Sequence, residues 1–144
     1  MRDAPTLAAL APRLATLFAR ADVLVAHNAP FDRNFLAAVP HTRPWLDTLQ
    51  LARRLWLDAP GHSNQVLRYW LGLPVAADAP HHALDDARVT AALLLRAFAA
   101  LPAPAGSTPA TLLAWLATPQ PATVMPFGRH KGTPLDQVPA DYRR

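Results

Sequence analysis

An α/β domain with a short sheet and several helices is the fold class this sequence predicts, and three observations carry it. Two short apolar runs, at residues 22–26 and 45–47, read as buried strands. Each is followed directly by a helix signal: Asn-x-Pro after the first, and Thr48 with an apolar stripe after the second. The third is a long amphipathic stretch at residues 83–100, with Leu84, Ala87, Ala91, Leu94, Leu95 and Phe98 on its apolar stripe. A chain of 144 residues that is 51% hydrophobic has material for one modest core, which excludes full-length disorder.

In chain order, residues 6–20 carry a helical stripe of Leu7, Leu10, Leu14, Leu17 and Phe18. Pro12 interrupts it, so the regular helix is expected to begin there, with proline in the first turn. The β-branched run at 22–26 ends in His27-Asn28-Ala29-Pro30, where Asn-x-Pro signals a helix cap and first turn. That helix should reach residue 38 and stop before Pro40. After the second strand, Thr48 is expected to cap a helix containing Leu49, Leu51, Ala52, Leu55 and Trp56. Ser63 opens another, and Gly72 closes it. Residues 74–80 form a connector to the long helix. Residues 102–108 read as the clearest linker, a short helix follows to residue 117, and residues 124–132 read as a strand, a glycine turn and a return. Three units are therefore expected: a body at 1–101, a Pro-rich linker with a short helix at 102–122, and a small module at 123–144.

Composition narrows the chemistry. Without cysteine there is no disulfide framework, thiolate zinc site or cysteine nucleophile. All ten acidic residues are Asp, and thirteen of the fourteen cations are Arg, with Lys131 the exception. The net charge of +4 is compatible with a polyanionic partner. The N-terminus has no apolar targeting segment, and prolines break the uncharged stretch at 97–128, so no membrane span is expected and a cytoplasmic protein is.

Two constellations can carry chemistry. His27-Asn28-Ala29-Pro30-Phe31-Asp32 follows the first strand, where α/β sheets place their ligand sites. Asp32 can equally complement a helix dipole. His81-His82-Ala83-Leu84-Asp85-Asp86-Ala87 opens the long helix. His81 and Asp86 would lie about 140° apart on one helix, so they converge only if His81 sits on the preceding loop. Asp85 reads as a helix-start charge and His82 as a loop residue.

Together, and in this order, H-N-A-x-F-D, D-T-L-x-L-A-R at residues 47–53, and H-x-A-x-x-D-A resemble the second and third motifs of the DEDDh 3′–5′ exonucleases. These are proofreading-type nucleases of RNase H-like fold. Within them the sequence is most similar to the exodeoxyribonuclease X group, through L-A-R-R-L-W at 51–56, Ser63-Asn64 and V-T-A-A-L-L at 89–94. The late F-G-R-H-K-G at 127–132 resembles the small module that follows the nuclease domain there. The resemblance implies a partial RNase H-like exonuclease fold plus a small C-terminal hairpin module. It implies two divalent ions, Mg²⁺ or Mn²⁺, held by four carboxylates at a DNA 3′ end, with RNA as the alternative polymer. By motif position Asp32 and Asp86 would be metal ligands, His81 the general base, and Asn28 and Phe31 neighbours of the terminal nucleotide.

The family's first motif, D-x-E, has no counterpart, since the sequence contains no Glu. The expectation is an N-terminally truncated member, with half of its metal carboxylates missing, impaired in catalysis and prone to self-association through an open sheet edge. The alternative is a non-catalytic remnant that binds nucleic acid or a partner. For the tail two readings stand: a basic hairpin touching a phosphate backbone, or a structural hairpin docked on the body.

Overall fold

A computed structural model of the chain describes residues 5–75, 83–120, 123–125, 128–130 and 132–142. Helix α1 (Leu7–Ala19) is capped by Thr6, whose hydroxyl accepts the Ala9 N–H. Contrary to the sequence expectation, Pro12 lies inside this helix and not at its start. With Thr6 setting the start, proline removes one interior N–H. None of the residues of α1 is fully buried; Leu7, Leu10, Leu14 and Phe18 are partly covered and Leu17 is exposed.

Strands β1 (Leu24–Ala26) and β2 (Trp45–Asp47) pair in parallel, with Leu24 opposite Trp45, Val25 opposite Leu46 and Ala26 opposite Asp47. Parallel partners need a crossover, and α2 (Ala29–Phe35) supplies it. Among the described residues β1 pairs with β2 alone. Helix α3 (Thr48–Leu55) follows β2 without a loop. Its cap is Asp47, whose carboxylate accepts the Leu49 N–H at 2.9 Å, and Thr48 is the first helical residue. The Thr48 hydroxyl lies within hydrogen-bond distance of both His27 Nδ1 and the Ala26 carbonyl, which compete for its one proton, and the capping role goes to Asp47.

Helix α4 (Asn64–Trp70) starts at its cap Ser63 and ends at Gly72 in a left-handed conformation, φ +60°. The Leu73 and Gly72 N–H groups return to the Arg68 and Tyr69 carbonyls, closing the helix end as the sequence predicts. The 74–80 connector lies outside the described residues after Val75. Helix α5 (Ala83–Phe98) is the longest. A turn-rich segment then leads to α6 (Pro109–Ala117), opened by a reciprocal Thr108–Thr111 capping box. Two short 3₁₀ turns, Leu135–Gln137 and Ala140–Tyr142, are the last described elements.

One core joins these elements: Leu46 of β2, Leu51, Ala52 and Trp56 from α3 and its end, Leu67 of α4, Val89, Leu93 and Ala97 of α5, and Leu112 of α6. Burying each leucine fully is worth about 1.5–3 kcal/mol, so these contacts set the mutual positions of the helices. Arg54 of α3 locks α6 further, donating to the Trp115 and Thr118 carbonyls while its guanidinium lies over the Trp115 ring. Among the described residues no helix is long and apolar enough to cross a membrane.

Candidate active site

The site begins where β1 ends. Asn28 adopts the left-handed conformation, φ 70° and ψ 54°, which asparagine tolerates better than most residues. Its side chain makes no capping bond, contrary to the Asn-x-Pro expectation. The backbone N–H of Asn28 instead donates to Asp47 Oδ1 at 2.9 Å. The same oxygen accepts from Leu49, so one buried carboxylate fixes the ends of both strands. With that turn pinned, Ala29 and Pro30 start α2 and its first turn presents Phe31 and Asp32. Asp32 is half-buried and its carboxylate accepts no hydrogen bond from the described residues, while Phe31 is 72% exposed.

The opposite wall comes from α5. Asp86 sits in its first turn, half-buried, and its Oδ1 is met by the Gln65 side-chain amide at a long 3.5 Å. Asn64 of α4 braces the same turn, donating to Thr90 Oγ1 at 3.2 Å and reaching the Asp86 carbonyl. The Asn64 Oδ1 is buried without a partner among the described residues. Asp85 turns the other way: it is buried and pairs with Arg88 at 3.1 Å. The sequence reading of Asp85 as a plain helix-start charge is therefore incomplete, because the neighbouring positions of one helix turn face different surroundings.

Asp32 and Asp86 line one cleft of ≈590 Å³. Val25, Ala26 and His27 at the C-terminal end of β1 form its floor, with Phe31, Asn64, Ala87, Thr90 and Leu94 around it. Openings at the carboxyl ends of parallel strands are where α/β sheets bind ligands. Asn28 lies on the turn beside this cleft without lining it, and His81 and His82 fall outside the described residues. Sequence reasoning missed Asn64 and Thr90 as wall residues and Asp47 as the brace; for Asp47 the signal was its position, last in a strand and immediately before a helical stripe.

His27 is the polar residue of the floor. Its Nε2 donates to the His62 carbonyl at 2.7 Å, which leaves Nδ1 to accept from the Thr48 hydroxyl at 2.9 Å in the neutral ring. Burial lowers its pKa below 6.5, against the opposing pull of the His62 carbonyl and the Asp47 charge. This imidazole is thus committed to structure: it ties the loop before α4 to the end of β1.

Chemically, the cleft offers two carboxylates with no Arg or Lys among its described lining residues. That donor set repels a polyanion and suits a hard cation, which takes oxygen ligands. A Mg²⁺-type ion is commonly held by one or two carboxylates together with substrate phosphate, so the pair fits such an ion in part. Among the described residues no group of three or more His, Cys, Asp or Glu side chains is arranged to hold a metal.

Comparison with known proteins gives the family. The RNase T family model, described as an exonuclease, matches residues 1–94. Exodeoxyribonuclease 10 of Escherichia coli (strain K12) is 35% identical over 119 residues, covering 79% of this chain and 50% of its own length. A DNA polymerase III subunit epsilon-like protein of Rhodobacter capsulatus is 41% identical over 92 residues, covering 60% of this chain and 13% of that protein. Among solved structures, Exonuclease X in complex with 5′ overhanging duplex DNA superposes with a TM-score of 0.53 at 34% identity. That match covers 69% of this chain and 57% of the other. The chain thus spans half or less of the curated relatives it matches here, and members of their family use divalent metal ions. With the family model covering β1, α2 and the Asp86 turn, this chain belongs to the RNase T exonuclease family, of DEDD type and RNase H-like fold.

Proposed function

We propose that the cleft is the remnant or working half of a 3′–5′ exonuclease site of the DNA repair or proofreading type, acting on a DNA 3′ end in the cytoplasm. The observation that carries the reading is that Asp32 of α2 and Asp86 of α5, far apart in sequence, line the same cleft. In this reading both carboxylates hold divalent ions, Mg²⁺ or Mn²⁺. Such ions, when bound, neutralise the phosphodiester and stabilise the departing 3′-oxygen. His81 takes the proton of the attacking water as general base. The exposed ring of Phe31 stacks on the terminal base, and Asn28 borders the same nucleotide. The body at 1–101 carries this chemistry, the segment at 102–122 connects, and 123–144 is a separate small module.

The sequence holds no Glu, so a D-x-E pair has no place in these 144 residues. Two carboxylates alone should leave a rate lower by several powers of ten, as happens when members of a catalytic unit are removed. The edge of β1 that does not face β2 gives a route to self-association. The test is a 5′-labelled oligonucleotide incubated for hours with excess protein and Mn²⁺. The expected product is a faint ladder shortened from the 3′ end, absent in Asp32→Ala and Asp86→Ala. Internal cuts, shortening from the 5′ end, an unchanged ladder in both variants, or no product above the protein-free control would overturn the catalytic reading.

A further inference from the structure

The only charged side chains among the described lining residues of the cleft are carboxylates, so direct protein contacts to a polyanionic backbone are to be sought elsewhere on the chain. The C-terminal hairpin offers one. Its arms are joined by Met125 N–H to the Thr133 carbonyl at 2.8 Å, Gly132 N–H to the Met125 carbonyl at 2.8 Å and Leu135 N–H to the Thr123 carbonyl at 2.9 Å. Tyr142, from the last 3₁₀ turn, packs under the tip. Gly128 has φ +74°, a left-handed conformation that favours glycine, and a Cβ there would meet the Tyr142 hydroxyl. The next residue, Arg129, donates its backbone N–H to that hydroxyl at 3.1 Å.

Two side chains are organised on the same ring. The Arg129 guanidinium carbon lies 5.7 Å from the Tyr142 centroid, and the His130 ring meets it edge-on at 4.7 Å and 76°. Arg129 Nε also reaches His130 Nε2 at 3.4 Å. No carboxylate among the described residues, Asp136 and Asp141 of the same module included, lies within ion-pair reach of Arg129. A stacked, exposed guanidinium with no acidic partner among the described residues is the geometry that takes a phosphate by two parallel N–H donors.

We propose that the Arg129–His130 tip is a phosphodiester-backbone contact for the nucleic acid whose end enters the cleft. The proposal rests on the polynucleotide reading of that cleft and adds a second, sequence-independent point of attachment. Tyr142 is its positioning residue. The ring holds the guanidinium and the hydroxyl holds the backbone, so Arg129 can be replaced without disturbing the turn.

The experiment is fluorescence anisotropy of a labelled single-stranded oligodeoxynucleotide with the full chain in EDTA, across a salt titration. Arg129→Gln, with an unchanged circular dichroism spectrum, is expected to weaken binding about three- to tenfold and to flatten the plot of log affinity against log salt by about 0.7. Arg129→Lys, which keeps the charge, should retain the wild-type slope. Equal affinity and slope in wild type and Arg129→Gln would overturn the tip contact while leaving the cleft reading intact. A wild-type chain that binds no oligonucleotide would overturn both. Tighter binding of polyglutamate than of the oligonucleotide would reassign the tip to an acidic peptide and so overturn the proposal.

Discussion

Replacing Asp47 by alanine tests how the site is held. The residue is buried, and its Oδ1 accepts two backbone N–H groups at 2.9 Å, from Asn28 and Leu49. Loss of the helix cap at Leu49 costs about 1 kcal/mol. Leaving the part-buried Asn28 N–H without a partner costs about 1–3 kcal/mol more, and the left-handed turn then loses its anchor. The sum is roughly 2–4 kcal/mol, which for a chain of this length lowers Tm by roughly 5–12 °C. Asp47→Asn keeps an oxygen able to accept both bonds and should lose about 1 kcal/mol or less. Thermal unfolding followed by far-UV circular dichroism reads both variants. A loss below about 0.5 kcal/mol in Asp47→Ala, or equal damage in the two variants, would refute the account of the turn.

Other consequences follow from the same structure. Leu112 of α6 is 1% exposed within the common core, so Leu112→Ala should cost about 2–5 kcal/mol; an unchanged Tm would mean that α6 does not pack there. His27 predicts a pH dependence with a definite sign. Because burial lowers its folded pKa, the unfolded chain binds the extra proton, and stability rises with pH. The contribution is complete above 6.5 and drains away as pH falls from there through the lowered folded value. Tm measured against pH should therefore drop in mildly acidic buffer, and His27→Gln should flatten that drop; a slope identical in the variant would contradict it.

Much of the fold was legible because the strands are short, apolar and followed at once by helix signals. Val23-Leu24-Val25-Ala26 and Trp45-Leu46-Asp47 leave few options, and the spacing of the two motifs places Asp32 and Asp86 each in the first turn of its own helix. What local signals could not decide was which of two good capping residues acts. Both Asp47 and Thr48 are capping types, Asp the stronger, and Asp47 takes the role while His27, distant in sequence, engages the Thr48 hydroxyl. Pro12 misled for a similar reason: a proline signal marks a helix start only when no better cap precedes it, and Thr6 does. Asn64 and Thr90 were unreadable as a pair, since their hydrogen bond depends on how α4 packs on α5.

The central claim is that Asp32 and Asp86 act together on a divalent cation. Amide NMR of the whole chain with sub-stoichiometric Mn²⁺ tests it without requiring turnover. Paramagnetic broadening is predicted to centre on residues 31–32 and 86–87 and to fade in both Asp32→Asn and Asp86→Asn. Broadening centred on another surface, or unaltered by either substitution, would contradict it.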